Sequence, residues 1–539
     1  MYDQKRTKKL RHQLDLLKDF AWQETSNSIQ LHHFKTEDDA RKVLSSDWQN
    51  WPQVGGDFAW GAPASHHWFA GTSAAPETPV GITPFIRLVA KNEILLGRTD
   101  PQCQVYLDGE IAQAFDGFHR ELYLPKKNRS DEFTIHVNAY TAEIERQLGI
   151  ALIWCNRHDA AADLYFDLDN AFEAALRLDE HDTTRHRAFN IIDAALSALD
   201  LRARDKSFDY SVQSAKDIAQ DLFDADIAVP TITAVGHTHI DVAWLWPVKQ
   251  TREKMIRSMS TACKLLDENP DFTFMYNQCV LFDWLKEDAP ELFERIKKHV
   301  QSGRFEIEGA MWLEPDVNLI SGESLIRQIL YGFQYQQSEF GVTPRTLWLP
   351  DTFGYTATIP QLMKGANLDI FVTSKCSWND TNRMPYDTFE WQGIDGSNVT
   401  AFLITSQPDH LGRNNDPRTD YGHKLDVSTA VGSWNRYEPK ALNDDVLMPF
   451  GHGDGGGGVT QEMIENARRM SKGLSGAPKV RMEGITPYFE RLREKIASSP
   501  TAFPRWVGEL YLEFHRGTLT SLAKNKRHNA NAEHLMREL

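Results

Sequence analysis

Residues 230–241 read PTITAVGHTHID, a short run of β-branched and apolar residues that ends in a polar loop. Pro230 precedes a predicted strand at TITAV, and strand-like and helix-like stretches alternate after it. FTFMYN, RFEIEGAMW, RTLWLP, DIFVTS, NVTAFLIT and DVLMPFG read as strands, whereas FDWLKEDAPELFERIKKHVQSG, ESLIRQILYGFQYQQSEF and TQEMIENARRMSKGL read as helices. This alternation is typical of βαβ units, so the sequence predicts an α/β domain built on a mainly parallel sheet.

The chain before this domain differs in composition and in hydrophobic periodicity. Residues 1 to about 30 have the pattern of an amphipathic helix, and residues 48–85 are rich in Trp, Gly, Pro and Ser, which is typical of loops. Five short runs then follow, TPFIRLVA, EILLGRT, QVYLDG, RELYLP and FTIHVNAY, each bounded by turn residues. They predict an antiparallel β-sandwich, and residues 158–222 have the helical period.

Composition excludes several classes of protein. With 41% hydrophobic residues in 539, the chain has enough apolar material for large cores, which excludes a wholly disordered protein. A net charge of −16 disfavours binding to nucleic acid or to an anionic membrane surface. The N-terminus lacks the apolar core of a secretory signal, and the five scattered cysteines form no CxxC, so we expect a protein of the reducing cytoplasm.

The loop after the first α/β strand carries His237, His239 and Asp241 at alternate positions. In an extended chain alternate side chains point the same way, so the three can converge on one point. Imidazole and carboxylate are normal zinc ligands. The alternative is that Asp241 caps the next helix and that the histidines form only local hydrogen bonds.

A second polar residue follows another strand, in LWLPDTFGY, where Asp351 comes directly after Pro350. Ligands of such sheets bind beyond the carboxyl ends of the strands. Asp241 and Asp351 therefore suggest a shared metal or a catalytic pair, although either could instead be a helix cap.

The last strand runs into GHGDGGGG, residues 451–458. Glycines let the backbone approach a ligand closely, but the loop has neither GK[ST] nor GxGxxG spacing, and Asp454 would repel an anion. Asp454 is thus a candidate carboxylate for a neutral substrate, the alternative being a solvated turn. Further on, ELYLEFHRGTLTS places Glu513 and His515 two residues apart, and His515 is a candidate fourth ligand or a structural histidine.

Taken together, five motifs resemble glycoside hydrolase family 38, the retaining, zinc-dependent α-mannosidases, in its cytosolic and vacuolar branch with the bacterial relatives of that branch. These motifs are GHTHIDVAWLWP, GAMWLEPDVNLISGESLIRQ, LWLPDTFGYTATIPQL, FGHGDGGGG and ELYLEFHRGTLTSLAKNKR. The resemblance covers about residues 228–539. It implies a seven-stranded, mainly parallel β/α barrel-like catalytic domain at 226–500, preceded by the β-sandwich with its helices at 1–225 and followed by the start of a helical bundle at 501–539.

The resemblance also implies roles for individual residues. One zinc ion, with cobalt as the alternative, would be held by His239, Asp241, Asp351 and His515, with His452 as the fallback for His515. Asp351 would also be the nucleophile and Asp454 the acid/base. The further candidates for substrate contacts are Trp244, Glu314, Asp316, Lys375 and His452. Lys375 stands where the Golgi and lysosomal branch has an arginine, which changes the group that contacts the nucleophile.

The implied substrate is an α-mannosidic oligosaccharide, with no nucleic acid or membrane as partner and homo-oligomerisation left open. Two other functions stay open on sequence alone. A metal-dependent deacetylase or amidohydrolase also uses His and Asp at strand ends, but does not need Asp454 in its glycine loop. A non-catalytic glycan-binding remnant is the other, because the chain ends within a predicted helix where family members continue into further domains; we therefore expect a C-terminally truncated protein.

Overall fold

The computed structural model of the chain describes residues 2–55, 57–90, 101–124, 132–142, 145, 147–202, 206–413, 416–499 and 503–539. Its helices are α1 Tyr2–Ala21, α2 Ala40–Leu44, α3 Asp159–Ala175, α4 Thr183–Ala198, α5 Lys206–Ala219, α6 Val248–Glu268, α7 Cys279–Asp288, α8 Pro290–Gln301, α9 Gly322–Tyr335, α10 Ile359–Gly365, α11 Asp409–Arg413, α12 Val427–Arg436, α13 Gln461–Ser471, α14 Ile485–Ser498 and α15 Ala523–Glu538.

The strands before residue 200 are β1 Trp22–Ser28, β2 His32–Lys35, β3 Ser65–Ala74, β4 Ile82–Val89, β5 Gln102–Leu107, β6 Glu110–Phe115, β7 Glu121–Tyr123, β8 Glu132–Thr141 and β9 Ala151–His158. The later strands are β10 Thr231–Gly236, β11 Phe274–Tyr276, β12 Phe305–Ile307, β13 Thr346–Trp348, β14 Ile370–Thr373, β15 Thr388–Gln392, β16 Asn398–Leu403, β17 Asp445–Phe450, β18 Lys479–Met482 and β19 Arg505–Val507. No helix in the described part of the chain is long and apolar enough to cross a bilayer.

The described chain forms two compact units, each assembled from three segments. The first contains 1–228, 241–264 and 455–477, and the second contains 229–240, 265–454 and 478–539.

The first unit contains two antiparallel sheets, with strand orders β2-β3-β8-β5-β6 and β1-β9-β4-β7. One hydrophobic cluster takes buried side chains from both sheets, such as Phe69 and Val137 from one and Ile86 and Trp154 from the other. Strands β3 and β5 are buried along most or all of their length, and a second buried cluster contains Trp68, Ala70 and Tyr106 of these two strands. Helices α1, α3, α4 and α5 belong to the same unit.

The second unit contains a parallel sheet of order β12-β11-β10-β17, with β18 also paired to β10. A second sheet has the order β13-β14-β16-β15-β19, in which β15 and β16 are antiparallel and the other pairs are parallel. Within the parallel sheet, β11 and β17 are buried along their whole length and β10 is buried after Thr231, whereas β18 is partly exposed. The prediction of an α/β protein with mainly parallel pairing in this region is confirmed. The single seven-stranded barrel, the sandwich and the domain limits 1–225, 226–500 and 501–539 stay predictions.

Several local expectations need correction. Helix α1 ends at Ala21 and the chain continues as β1, and the loop-like stretch 48–85 contains the ten-residue strand β3. The helix predicted through FDWLKEDAPELFERIKKHVQSG is two helices, since Pro290 starts α8 as its first residue and disfavours helical backbone at Ala289. The predicted strand EILLGRT, residues 93–99, lies outside the described residues.

Candidate metal and catalytic site

Strand β10 delivers the first polar loop to the carboxyl end of the parallel sheet. The backbone N–H of His237 donates to the carbonyl of Phe450 at 2.9 Å, which extends the pairing with β17 by one residue. The His237 ring is fully buried, with its centroid 5.4 Å from the Trp348 ring, and burial lowers its pKa to about 3. His237 therefore stays neutral at ordinary pH. The expectation that it converges with His239 and Asp241 is wrong for the metal group, which contains those two residues and Asp351 but not His237.

His239, Asp241 and Asp351 form the group that could hold a metal ion. One ligand atom from each lies within 4.8 Å of the other two, and no other such group occurs in the described chain. The His239 Nε2 atom lies 3.8 Å from Asp351 Oδ2. One imidazole and two carboxylates are a ligand set that suits zinc, so the residues present fit the ion that the resemblance implies.

Glu314 fixes the backbone that carries Asp351. Its Oε1 atom accepts the backbone N–H of Asp351 at 2.6 Å and the hydroxyl of Thr352 at 3.0 Å. Its Oε2 atom lies 3.4 Å from His239 Nδ1. Burial raises the pKa of the Glu314 carboxyl to about 7. The Glu314 carboxylate thus lies between His239 and the loop that carries Asp351. Its predicted contact to substrate stays a prediction.

Lys375 contacts Asp351 directly. Its Nζ atom lies 2.7 Å from Asp351 Oδ1, and only 7% of the lysine side chain and 14% of the aspartate side chain are exposed. The ammonium also lies 3.9 Å from the centroid of the Trp378 ring, with Phe353 at 5.7 Å and Tyr421 at 5.9 Å. Aromatic faces attract a cation, so this setting holds the charge next to Asp351.

Asp454 stands in the glycine-rich loop with a left-handed backbone, φ +51°. The hydroxyl of Tyr421 donates to its Oδ1 atom at 2.5 Å. Burial raises the pKa of Tyr421 well above 10, so the hydroxyl keeps its proton and remains a donor. The Tyr421 ring also lies 5.1 Å from the His239 ring. Sequence reasoning missed Tyr421, because nothing in TDYGHK marks it as different from any other loop tyrosine.

His515 does not join the metal group of the described residues. Its ring lies 4.7 Å from Phe353 and 5.6 Å from Trp378, and burial followed by the charge of Lys375 lowers its pKa. It is thus a neighbour of the Lys375 site, and its role as fourth ligand stays a prediction.

The other predicted contacts lie at loop positions of varied exposure. The carbonyl of His452 accepts the Thr238 hydroxyl at 3.0 Å, so the backbone of this residue has a structural partner. Trp244 is 57% exposed and lies edge-on to Trp246 at 5.7 Å, which suits a surface for a sugar ring. Asp316 is half-buried, and burial raises its pKa. Their contacts to substrate stay predictions.

Comparison with known proteins agrees with this geometry. The sequence matches the N-terminal domain of glycosyl hydrolases family 38 over residues 229–509, which is more than half of the chain. It is 42% identical over 303 residues to "Alpha-mannosidase G" of Dictyostelium discoideum, covering 56% of this chain and 26% of that protein. It is 38% identical over 309 residues to "Alpha-mannosidase 2C1" of Homo sapiens, covering 57% of this chain and 28% of that protein. It is 35% identical over 389 residues to "Alpha-mannosidase" of Saccharomyces cerevisiae, covering 68% of this chain and 34% of that protein. The matched stretches thus span between 26% and 34% of the length of these relatives.

Proposed function

From the premise that this chain belongs to glycosyl hydrolase family 38, we propose that it removes terminal non-reducing α-D-mannose from oligosaccharides, with retention of configuration. The names of its relatives supply the sugar. One observation carries the proposal for the site: the Asp351 carboxylate is shared between the metal group and the Lys375 ammonium.

A zinc ion held by His239, Asp241 and Asp351, with His515 proposed as the fourth ligand, would supply Lewis-acid contacts to sugar hydroxyls. The protein supplies the remaining organisation through its own side chains. Glu314 accepts the Asp351 backbone N–H, so the loop of Asp351 cannot rotate freely.

Asp351 is the proposed nucleophile. The Lys375 ammonium lies 2.7 Å from its Oδ1 atom, and its Oδ2 atom lies 3.8 Å from His239 Nε2 in the metal group. Attack at the anomeric carbon would form a mannosyl–Asp351 ester as the glycosidic bond breaks. Two carboxyl groups roughly 5–5.5 Å apart are the geometry of a retaining reaction.

Asp454 is the proposed acid/base. Its proton would pass to the leaving oxygen in the first step, and in the second step it would take a proton from the water that cleaves the ester. The Tyr421 hydroxyl donates to the Oδ1 atom of this carboxyl. Trp244, Glu314, Asp316, Lys375 and His452 remain the proposed contacts to the sugar.

The finer fold expectations are part of the same proposal. The shared cluster of the first unit's two sheets supports a β-sandwich, and the parallel strands of the second unit support a barrel-like catalytic domain. The five free, buried cysteines suit a reducing compartment, so we propose the cytoplasm.

The test measures nitrophenol release from 4-nitrophenyl α-D-mannoside by the zinc-loaded chain, with the configuration of the first-formed sugar followed by proton NMR. We expect α-mannose to appear first, because two displacements retain configuration. Asp351→Ala and Asp454→Ala should each lower kcat by about a thousandfold or more. Asp395→Ala is the matched control, because Asp395 lies in the exposed turn between β15 and β16, where its carboxylate accepts the backbone N–H and the hydroxyl of Ser397.

Three results would overturn the proposal. They are no release from the α-mannoside at any zinc concentration, β-mannose as the first product, and unchanged activity of Asp351→Ala. Release of acetate from an acetylated glycan in place of mannose would favour the deacetylase alternative.

A further inference from the structure

A buried aspartate–histidine pair lies in the turn between β6 and β7 of the first unit. Asp116 and His119 are 6% and 7% exposed. Asp116 Oδ1 accepts the backbone N–H groups of Phe118 at 2.7 Å and His119 at 2.8 Å, and the Nδ1 atom of His119 lies 3.0 Å from the same oxygen. The turn therefore holds the carboxylate, and the carboxylate holds the imidazole.

The second ring nitrogen of His119 faces another acceptor. Its Nε2 atom lies 3.0 Å from the carbonyl oxygen of Val459, which is 340 residues further along the chain. A neutral imidazole has only one N–H, whereas here a carboxylate and a carbonyl each require a donor. The geometry therefore calls for an imidazolium. Burial lowers the pKa of His119, but the neighbouring Asp116 carboxylate raises that pKa overall. Burial likewise raises the pKa of Asp116, but His119 and the backbone N–H groups lower that pKa overall.

The glycine-rich loop rests on this pair. Gly457 has φ +86°, and a Cβ atom at this position would lie 2.7 Å from Asp116 Oδ2 and 2.8 Å from His119 Cε1. Only glycine allows both the left-handed backbone and this close approach. Two successive contacts, at Gly457 and Val459, thus fix the path of the loop just after Asp454.

A second side chain of the first unit lies against the same loop. A Cβ atom on Gly455, φ +74°, would lie 2.7 Å from Lys254 Cδ. Lys254 is 4% exposed, and its Nζ atom donates to Gln102 Oε1 at 2.5 Å. Gly455 directly follows Asp454 in the chain, so buried side chains lie against the loop at both ends of the stretch 455–459.

We propose that Asp116 and His119 are positioning residues that hold the glycine-rich loop so that the Asp454 carboxyl reaches the leaving oxygen. The inference rests on the proposed function. It gives the N-terminal sheets a part in the reaction without any contact to substrate, since His119 acts on Asp454 only through the backbone of 455–459.

The test compares substrates that differ in their need for a proton. A 2,4-dinitrophenyl α-mannoside expels 2,4-dinitrophenolate, a stable anion that needs little acid assistance, whereas α-mannobiose expels a sugar oxygen that must be protonated as it leaves. In His119→Gln we expect kcat/KM on α-mannobiose, which reports the first step, to fall by about 100-fold, within the usual contribution of general acid catalysis, and kcat/KM on the dinitrophenyl substrate to fall by less than about threefold. Zinc affinity should be unchanged.

Two further variants keep the result interpretable. His136→Gln is the matched control: His136 is a buried histidine of β8 in the same unit, and its ring nitrogens have no hydrogen-bond partner among the described residues. Relative to wild type, His136→Gln should show no loss of activity that differs between the two substrates. Gly457→Ala attacks the same contact from the loop side and should reproduce the His119→Gln profile, so it serves if His119→Gln fails to fold.

A folded His119→Gln or Gly457→Ala protein that loses the same factor on both substrates, or loses nothing, would overturn the inference while the proposed function stands. A wild-type chain with no activity on either mannoside would overturn the proposed function, and the inference with it.

Discussion

At the scale of single residues, Lys375 sets the electrostatics around Asp351. An ammonium is a compact charge without the fork of a guanidinium, so it contacts one carboxylate oxygen and leaves the other to the metal group. The Trp378 ring at 3.9 Å covers the cation on one side, which confines the ammonium to the position beside Asp351.

Replacing this cation should impair both catalysis and stability. Lys375→Met leaves the Asp351 carboxylate without its partner, and the loss of one member of a buried pair costs about 3 kcal/mol. We expect kcat/KM to fall by about 100-fold and the metal-free protein to unfold at a lower urea concentration than wild type. In Lys375→Arg both activity and stability should recover in part.

Lys364→Met is the control for this prediction. Lys364 pairs with Asp369 at 3.0 Å with 47% and 38% of the two side chains exposed, and such pairs contribute little. Equal activity of Lys375→Met and wild type would show that Asp351 does not depend on this charge.

At the scale of elements, His66 of β3 joins a loop to helix α6 within the first unit. Its Nδ1 atom lies 2.8 Å from Glu37 Oε2 and its Nε2 atom lies 2.9 Å from Glu253 Oε2. Both partners are acceptors, so this ring is also an imidazolium. Lys249 donates to Glu37 and Arg257 to Glu253, and the Tyr140 ring lies 4.9 Å from the imidazole.

The stability of the first unit should depend on pH through this contact. Burial lowers the pKa of His66, but Glu253 and Glu37 raise it overall above 6.5. Its contribution is therefore complete below about pH 6.5 and is lost as the pH rises through the raised value. The pKa of Glu37 is lowered to about 2, and the pKa of Glu253 is also lowered. The stability that these two carboxylates contribute is therefore present above about pH 4.5 and is lost as the pH falls through their lowered pKa values.

The measurement is the free energy of unfolding against pH for wild type and His66→Gln. We expect the variant to lose about 2 kcal/mol near pH 6, mostly from the Glu253 contact because Glu37 is half exposed, and to lose less at pH 9. His12→Gln, an exposed histidine of α1, is the control. The same loss at pH 6 and pH 9 would show that His66 acts as a neutral side chain.

At the scale of the whole molecule, the two compact units interleave along the sequence. The chain leaves the second unit after Ile240 and again after Asp454. The second unit contains His239 and Asp351, and an ion bound there would stabilise its folded form against the unfolded chain.

Zinc should therefore raise the stability of the protein. At about 100 times the dissociation constant the expected gain is about 2.7 kcal/mol, measured as a rise in Tm with zinc concentration. His239→Ala should abolish the rise, and His528→Ala, on the exposed face of α15, should not.

His515→Ala reports on the fourth ligand: an unchanged zinc affinity in this variant would remove His515 from the proposed set.

Much of the candidate site could be predicted because its residues lie where strands end. His239 and Asp454 follow the neighbouring strands β10 and β17 of the parallel sheet, and Asp351 follows β13 of the second sheet. Ligands of α/β sheets bind beyond the carboxyl ends of the strands, so each of these positions could be singled out from the sequence. Periodicity likewise predicted most strands and helices, but it failed at β3, where the loop-like composition of 48–85 hid a strand that pairs with β8 along its whole length.

The sequence by itself therefore determined the α/β class, the polar loops at the strand ends and the residue types that suit a zinc site, because these follow from local period and chemical character. Only the tertiary structure decided that His237 turns into the core, that Tyr421 donates to Asp454, and that His119 supports the glycine-rich loop. These contacts join residues separated by 33 to 340 positions. No local pattern specifies such a contact, because its geometry depends on how the folded elements pack together.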